Sequence, residues 1–344
     1  MRIVVSIGIA ASLLCCSTAA FSQNLNTANE YMGYIGKQRE NISKKFMAYA
    51  SASAHGKKAR KVEHLRTKLL NEVEESRENI SGIASFNGDK TYRDSAVNFM
   101  KLYYNILNED YSKVINTEDI AEQSYDDMEA YINLKEAIDR KLDEGNDRLR
   151  AAEQAFAVHN NINLLDDKSE LGDMIKQVGG LNTYYDVIYL IYFKPHIQEA
   201  NMMKAMEKGN VTGIEQTRSS MLKYANEGLT KLATLKGFQG DMSLVNTCKG
   251  VLNFYVKEAD KTAAMSDFFL GKERFEAIKK EYEKKSKHSN EDIDAYNKAV
   301  NDINKASQAY NSNNGTVNEW RHDAIENWNN AVTGFFDEHT PHYK

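Results

Sequence analysis

The chain has 344 residues, 27% of them charged with both signs interleaved, and a formal net charge of −5. Such a mildly acidic surface excludes the basic footprint that a nucleic-acid partner needs. Only two prolines, Pro195 and Pro341, interrupt a text rich in Lys, Glu, Ala and Asn, which argues for helix throughout.

Met1-Arg2 is followed by an apolar run from Ile3 to Leu14 and then by small residues. This order predicts a secretory signal peptide over residues 1–22, cut before Gln23, which takes Arg2 with it and leaves a net charge of −6. The rival reading is a lipid anchor at Cys16, against which stands the absence of a small residue before Cys15 or Cys16. No later stretch is long and apolar enough to span a membrane. Once Cys15 and Cys16 are gone, Cys248 is alone, so no internal disulfide is expected and the core must hold the chain together. Cys248 shares an apolar helical face with Val251 and Leu252, as an inert thiol does.

The first helix, from about Asn26, carries Tyr31, Ile35, Ile42, Phe46 and Tyr49 on one face and ends at His55-Gly56. A second helix opens in the basic run Lys57 to Lys61 and carries Leu65, Leu69, Val73 and Ile80 to a turn at Phe86-Asn87-Gly88-Asp89. A third helix follows from about Thr91. A fourth, capped at Thr117, runs past Tyr125 and Leu142 with a bend expected near Gly145. Asn160 to Asn163 ends it.

The turn then returns as Phe238-Gln239-Gly240-Asp241, 152 residues later (238 − 86), with the apolar register kept on both sides. Ile80 falls on Leu232 and Tyr103 on Tyr255. A register held over ~35 residues around one Gly-Asp turn marks an internal repeat. In this reading residues 23–160 form the first helical repeat, 161–181 a connector and 182–344 the second repeat. Glu118-Asp119-Ile120 returns as Glu291-Asp292-Ile293, 173 residues apart (291 − 118), which implies 21 extra residues (173 − 152). These are placed near 265–288 as one inserted helix. The last two helices are expected to meet at Asn313-Asn314-Gly315. The fold class is therefore all-α: two tandem copies of an antiparallel four-helix unit, with an extra helix inserted in the second.

No glycine-rich phosphate loop, nucleophile elbow, C-x-x-C or H-E-x-x-H is present. Three weaker constellations remain. His196 and Glu199 share a helix face at i and i+3, as a metal-ligand pair would, although the first half has no histidine at the equivalent place. Tyr184, Tyr185, Tyr189 and Tyr192 crowd one helix that is expected to bend at Pro195. They would suit a ligand-binding groove or simply a core. The tail, Asp337-Glu338-His339 with His342, reads as a frayed end able to pick up transition metals.

The segments Tyr31 to Ile35, Tyr92 to Ser95, Asn105 to Tyr111, Ile120 to Tyr125 and Ala295 to Val300 resemble an uncharacterised family of exported all-helical surface proteins of Bacteroidota and spirochaetes. The resemblance implies an envelope location, periplasmic or at the cell surface, and brings no catalytic residues. The expectation is a non-enzymatic binding or scaffold module without cofactor, for an unknown protein or small ligand of the envelope. The alternative is a metal-binding or metal-dependent protein using His196 and Glu199.

Overall fold

The computed structural model describes residues 25–110, 121–164 and 169–343, with Asp110 and Ala264 described by their backbone alone. The signal peptide, the Cys16 anchor, the Thr117 cap and Glu118-Asp119-Ile120 lie outside the described residues. Among those described, the fold is all-helical with no strand. The helices are α1 (Ala28–Ala54), α2 (Ala59–Ser81), α3 (Thr91–Asn105), α4 (Tyr125–His159), α5 (Glu170–Glu207), α6 (Val211–Thr234), α7 (Ser243–Glu283) and α8 (Asn290–His339). One π-helical turn, Ile106–Asp110, extends α3.

The chain divides into two compact units, one of Met1–Asp186 with Thr333–Lys344 and one of Val187–Val332. In the first unit α1 packs on α2, α2 on α3, and α3 on α4. Thr27 and Glu30 form a capping box that fixes the start of α1, and Ser124 caps α4 by accepting from the Asp127 amide. The expected face of α1 is the buried one: Tyr31, Ile35, Ile42 and Phe46 are all at most 2% exposed. Burying each such side chain stabilises by about 1.5–3 kcal/mol before ordering costs. Tyr31 and Phe156 stack at 5.5 Å beneath Phe86, which sits 5.5 Å from each.

The tail is docked rather than frayed. His55 Nδ1 lies 2.7 Å from Asp337 Oδ1, the His55 and His342 rings stack at 3.7 Å, and the Tyr343 amide donates to Ser51 Oγ at 3.0 Å. A hidden ring stack and an ion-pair partner on α1 hold these last residues, which sequence position alone did not reveal.

The two Gly-Asp turns have the same geometry. Asn87 and Gly88 have φ of 49° and 85°, Gln239 and Gly240 of 51° and 93°. Phe86 pairs with Asp89, and Phe238 with Asp241, as isolated bridges. Each aspartate then accepts the amide two residues on, Thr91 at 2.8 Å and Ser243 at 2.7 Å. The likeness extends to the polar contacts of each hairpin. Arg66 binds Glu63 and the Leu107 carbonyl in one, and Arg218 binds Glu215 and the Ala259 carbonyl in the other.

Three expected interruptions are absent. Helix α5 runs unbroken through Gly179-Gly180, so it starts well before Tyr184, and Pro195 lies inside it. Helix α7 continues from Ser243 to Glu283, and α8 runs from Asn290 through Asn313-Asn314-Gly315 to His339. The residues near 265–288 are thus not an additional helix. They lengthen the α7–α8 hairpin, whose two arms pair through Phe268 and Tyr310 at 4.7 Å and through Tyr282 and Tyr296 at 4.5 Å. Cross-helix ring contacts reward continuation of both arms where composition suggested breaks. Gly145 has a packing role. It lies within α4, where a Cβ would come within 2.5 Å of Leu102 Cδ2, so the glycine serves close packing of α4 on α3.

Candidate functional site

Helix α5 carries the four tyrosines and the His196–Glu199 pair singled out from the sequence. In the first unit Tyr184 packs 5.7 Å from Phe335 and Tyr185 5.1 Å from Phe336. In the second, Tyr189 packs against Phe193 at 5.8 Å, and Tyr192 stacks on Trp328 at 4.4 Å. Tyr185, Tyr189 and Tyr192 are buried, and none of the four lines the cavity described below.

His196 and Glu199 do share a face. His196 Nδ1 lies 2.9 Å from the Tyr255 hydroxyl and 3.8 Å from Glu199 Oε2. The position that a cation would take beside Glu199 is filled from α8. Arg321 donates through Nε to Glu199 Oε1 and through Nη2 to Glu258 Oε1. Among the described residues, no third histidine, cysteine, aspartate or glutamate comes within 4.8 Å to complete a ligand set with His196 and Glu199. The pair is brought together, and what it meets is a guanidinium.

Glu258 is the residue that inspection of motifs passed over. It lies on the buried face of α7 with Val251, Tyr255 and Thr262, and Val251 and Tyr255 belong to the apolar register of the sequence. Its counterpart 152 residues earlier is Ile106 (258 − 152). A carboxylate inside an apolar register was therefore a visible signal. Arg321, next to Trp320 in a polar stretch, gave none.

Glu199 is 3% exposed and Glu258 1%. Two buried carboxylates thus share one guanidinium, so the cluster lacks one positive charge. Burial, then the neighbouring Glu199, pushes the Glu258 carboxyl up to about 8 against the pull of Arg321. Burial and the same carboxylates also hold the Tyr255 hydroxyl well above its usual range. Burial alone pushes the Cys248 thiol up to about 12, as the sequence reading of an inert thiol implied.

Beside this cluster is a cavity of 220 Å³. Its apolar wall is Met203, Met206 and Met265, and its polar floor is Glu258, Thr262 and Arg321. Two atoms of that floor, Glu258 Oε2 and Thr262 Oγ1, are buried without a hydrogen-bond partner.

No family model, curated protein or solved structure matches this chain.

Proposed function

We propose that this is an exported, non-enzymatic helical protein of the cell envelope, periplasmic or at the cell surface, that binds a small ligand or protein partner. The observation that carries the binding reading is the cavity of 220 Å³ that Met203, Met206, Met265 and Arg321 line beside the buried Glu199 and Glu258. Export rests on the leader-like order of residues 1–22 and on the resemblance of five segments to exported surface proteins. The metal reading would require Arg321 to leave Glu199, which would strand two buried carboxylates.

We also infer that the helices arose as two tandem four-helix copies. Supporting this are the two turns with matched φ values and the matched Arg66 and Arg218 contacts. The 21 additional residues lengthen one hairpin of the second copy.

The test is to express the full-length gene product with its own leader, recover it from the envelope fraction and weigh it by native mass spectrometry. Cleavage before Gln23 and a mass excess lost on denaturation are expected. An uncleaved chain retained inside the cell overturns export. A ligand-free, partner-free chain that turns over a substrate overturns the binding reading.

A further inference from the structure

We propose that the α7–α8 hairpin of the second unit is the surface through which two copies of this chain associate, the basic arm of each lying on the acidic arm of the other. The residues concerned lie outside the cavity of Met203 and Arg321, so either reading can fail without the other.

The hairpin has little core of its own. Among the described residues from Asp267 to Thr316, Ala299 alone is buried, whereas Leu252, Tyr255 and Ala259 earlier on α7 are fully buried. The seam between the arms follows Phe268, Phe275 and Tyr282 at spacings of seven, against Tyr310 and Tyr296 of α8, and every one of these rings is half-buried. Two helices cover one stripe of each other and leave the flanks of that stripe in water, where a four-helix arrangement would cover them.

One flank is apolar. On α7, Ala277 and Ile278 lie seven and eight residues beyond Leu270 and so share its face. Leu270 and Ile278 are 38% and 39% exposed. Ala277, Ile278 and Tyr282 line, with Ala295 of α8, a groove of 300 Å³ between the arms. Two alanines at its walls allow a partner helix to approach closely.

Charge selects the occupant. Residues 272–287 carry seven Lys or Arg and four Glu, a net +3 (7 − 4), and residues 291–302 carry four acids and one Lys, a net −3 (1 − 4). Lys285 and Asp292 join the arms at 2.6 Å. Among the described residues, Arg274 and Lys280 on one arm and Asp294 and Asp302 on the other enter no ion pair within the chain. A nucleic acid or an anionic membrane carries one sign, and what attracts it to the first arm repels it from the second. A second copy presents, by twofold symmetry, an acidic arm to each basic arm and an open apolar stripe to each open stripe.

The size of the face sets the strength. From Asp267 to the end of α7 at Glu283 the arm is about 25 Å long, and two helices side by side give a face of about 500 Å² per copy. About 1,000 Å² in total is at the lower limit of specific interfaces, so the association is reversible and on the order of micromolar.

The experiment is sedimentation equilibrium of the full chain over about 1–300 μM, the range in which such a dimer dissociates, at low and at high sodium chloride. A monomer–dimer equilibrium is expected, weakened several-fold by the salt that screens the exposed arms. Ile278→Glu should weaken it by about tenfold or more, since it puts a carboxylate into the apolar groove. The double reversal Arg274→Glu with Lys280→Glu should weaken it similarly, and adding Asp294→Lys with Asp302→Lys should restore it, because both arms then exchange sign.

A chain that stays monomeric throughout overturns the proposal, as does a dimer unchanged by Ile278→Glu. So do a charge reversal without effect and growth beyond the dimer, which a closed twofold contact forbids. Circular dichroism checks the helix content of each variant. If Ile278→Glu does not fold, the reversal and its rescue, made at exposed positions alone, decide the matter.

Discussion

Each unit buries an arginine among acids, and the two clusters differ by one charge. In the first, Arg39 meets Glu153 at 3.2 Å, and the Tyr92 hydroxyl donates to the other oxygen of Glu153 at 3.2 Å. One cation faces one anion, with both side chains at most 5% exposed. In the second, Arg321 faces both Glu199 and Glu258. The first arrangement balances its charge within the protein. The second sets two carboxylates against one guanidinium, and burial with the neighbouring Glu199 shifts the Glu258 carboxyl up to about 8. The two clusters therefore differ in charge and in the exposure of the arginine, which is 2% for Arg39 and 19% for Arg321.

The largest expected effect breaks the balanced cluster. Arg39→Met should destabilise the protein by about 3–5 kcal/mol, because Glu153 is left buried without its counter-charge. Arg321→Met should cost less, since a proton on Glu258 already offsets part of the excess and Arg321 is the more exposed arginine, at 19% against 2%. Urea unfolding of both variants at pH 7 measures this. An Arg321→Met loss equal to that of Arg39→Met would mean that the second cluster is as closed as the first.

Next in size is a pH dependence. The folded pKa of Glu258, about 8, lies above its ordinary value of 4.5, so the folded chain holds more protons than the unfolded one between these limits. The resulting stability is fully present below about 4.5 and is lost as the pH rises through 8, at up to about 1.4 kcal/mol per pH unit. Asp139 in the first unit behaves alike over a shorter span, its carboxyl raised to about 7 by burial despite Lys135. Glu258→Gln should flatten the part of the slope between pH 7 and 8, and Asp139→Asn only the part below 7. Urea midpoints taken every half unit of pH separate the two, and a slope above pH 7 that survives Glu258→Gln would show that Glu258 is not its source.

These residues also show what the sequence could disclose. Apolar spacing disclosed the buried faces of α1 and α2, because a helix face is a local property with a fixed period. The turns at Gly88 and Gly240 were legible because positive φ selects few residue types. The unbroken course of α5, α7 and α8 was not. Gly179-Gly180 and Asn313-Asn314-Gly315 carry breaking signals, and packing such as Phe268 on Tyr310 accompanies the continuous arms of α7 and α8. Of the site, His196 and Glu199 were found by spacing along one helix. Arg321 is 122 residues from Glu199, and no local pattern announces a partner at that distance.

The two turns provide a comparison in which no difference is expected. Gly88→Ala and Gly240→Ala each force a side chain into left-handed backbone, at φ of 85° and 93°, with open space around the added carbon. Each should cost about 1–2 kcal/mol from backbone strain alone. Thermal unfolding of both variants checks it. A loss at one turn and none at the other would separate hairpins that the tandem reading makes equivalent.

The smallest expected effects run the other way. Gly179 lies in the part of α5 within the first unit, and Gly315 in the part of α8 within the second. A Cβ at either position meets nothing within 4 Å. If both helices are continuous, Gly179→Ala and Gly315→Ala should each stabilise by about 0.5–1 kcal/mol, since alanine loses less backbone freedom in a helix. The same substitutions at a true interhelical turn would bring no gain and would cost stability wherever the glycine adopts positive φ. Chemical denaturation of the two single variants and the double variant decides between these outcomes. Additive gains would confirm two long helices where glycine and asparagine suggested turns, and a loss at Gly315 would restore the break expected at Asn313-Asn314-Gly315.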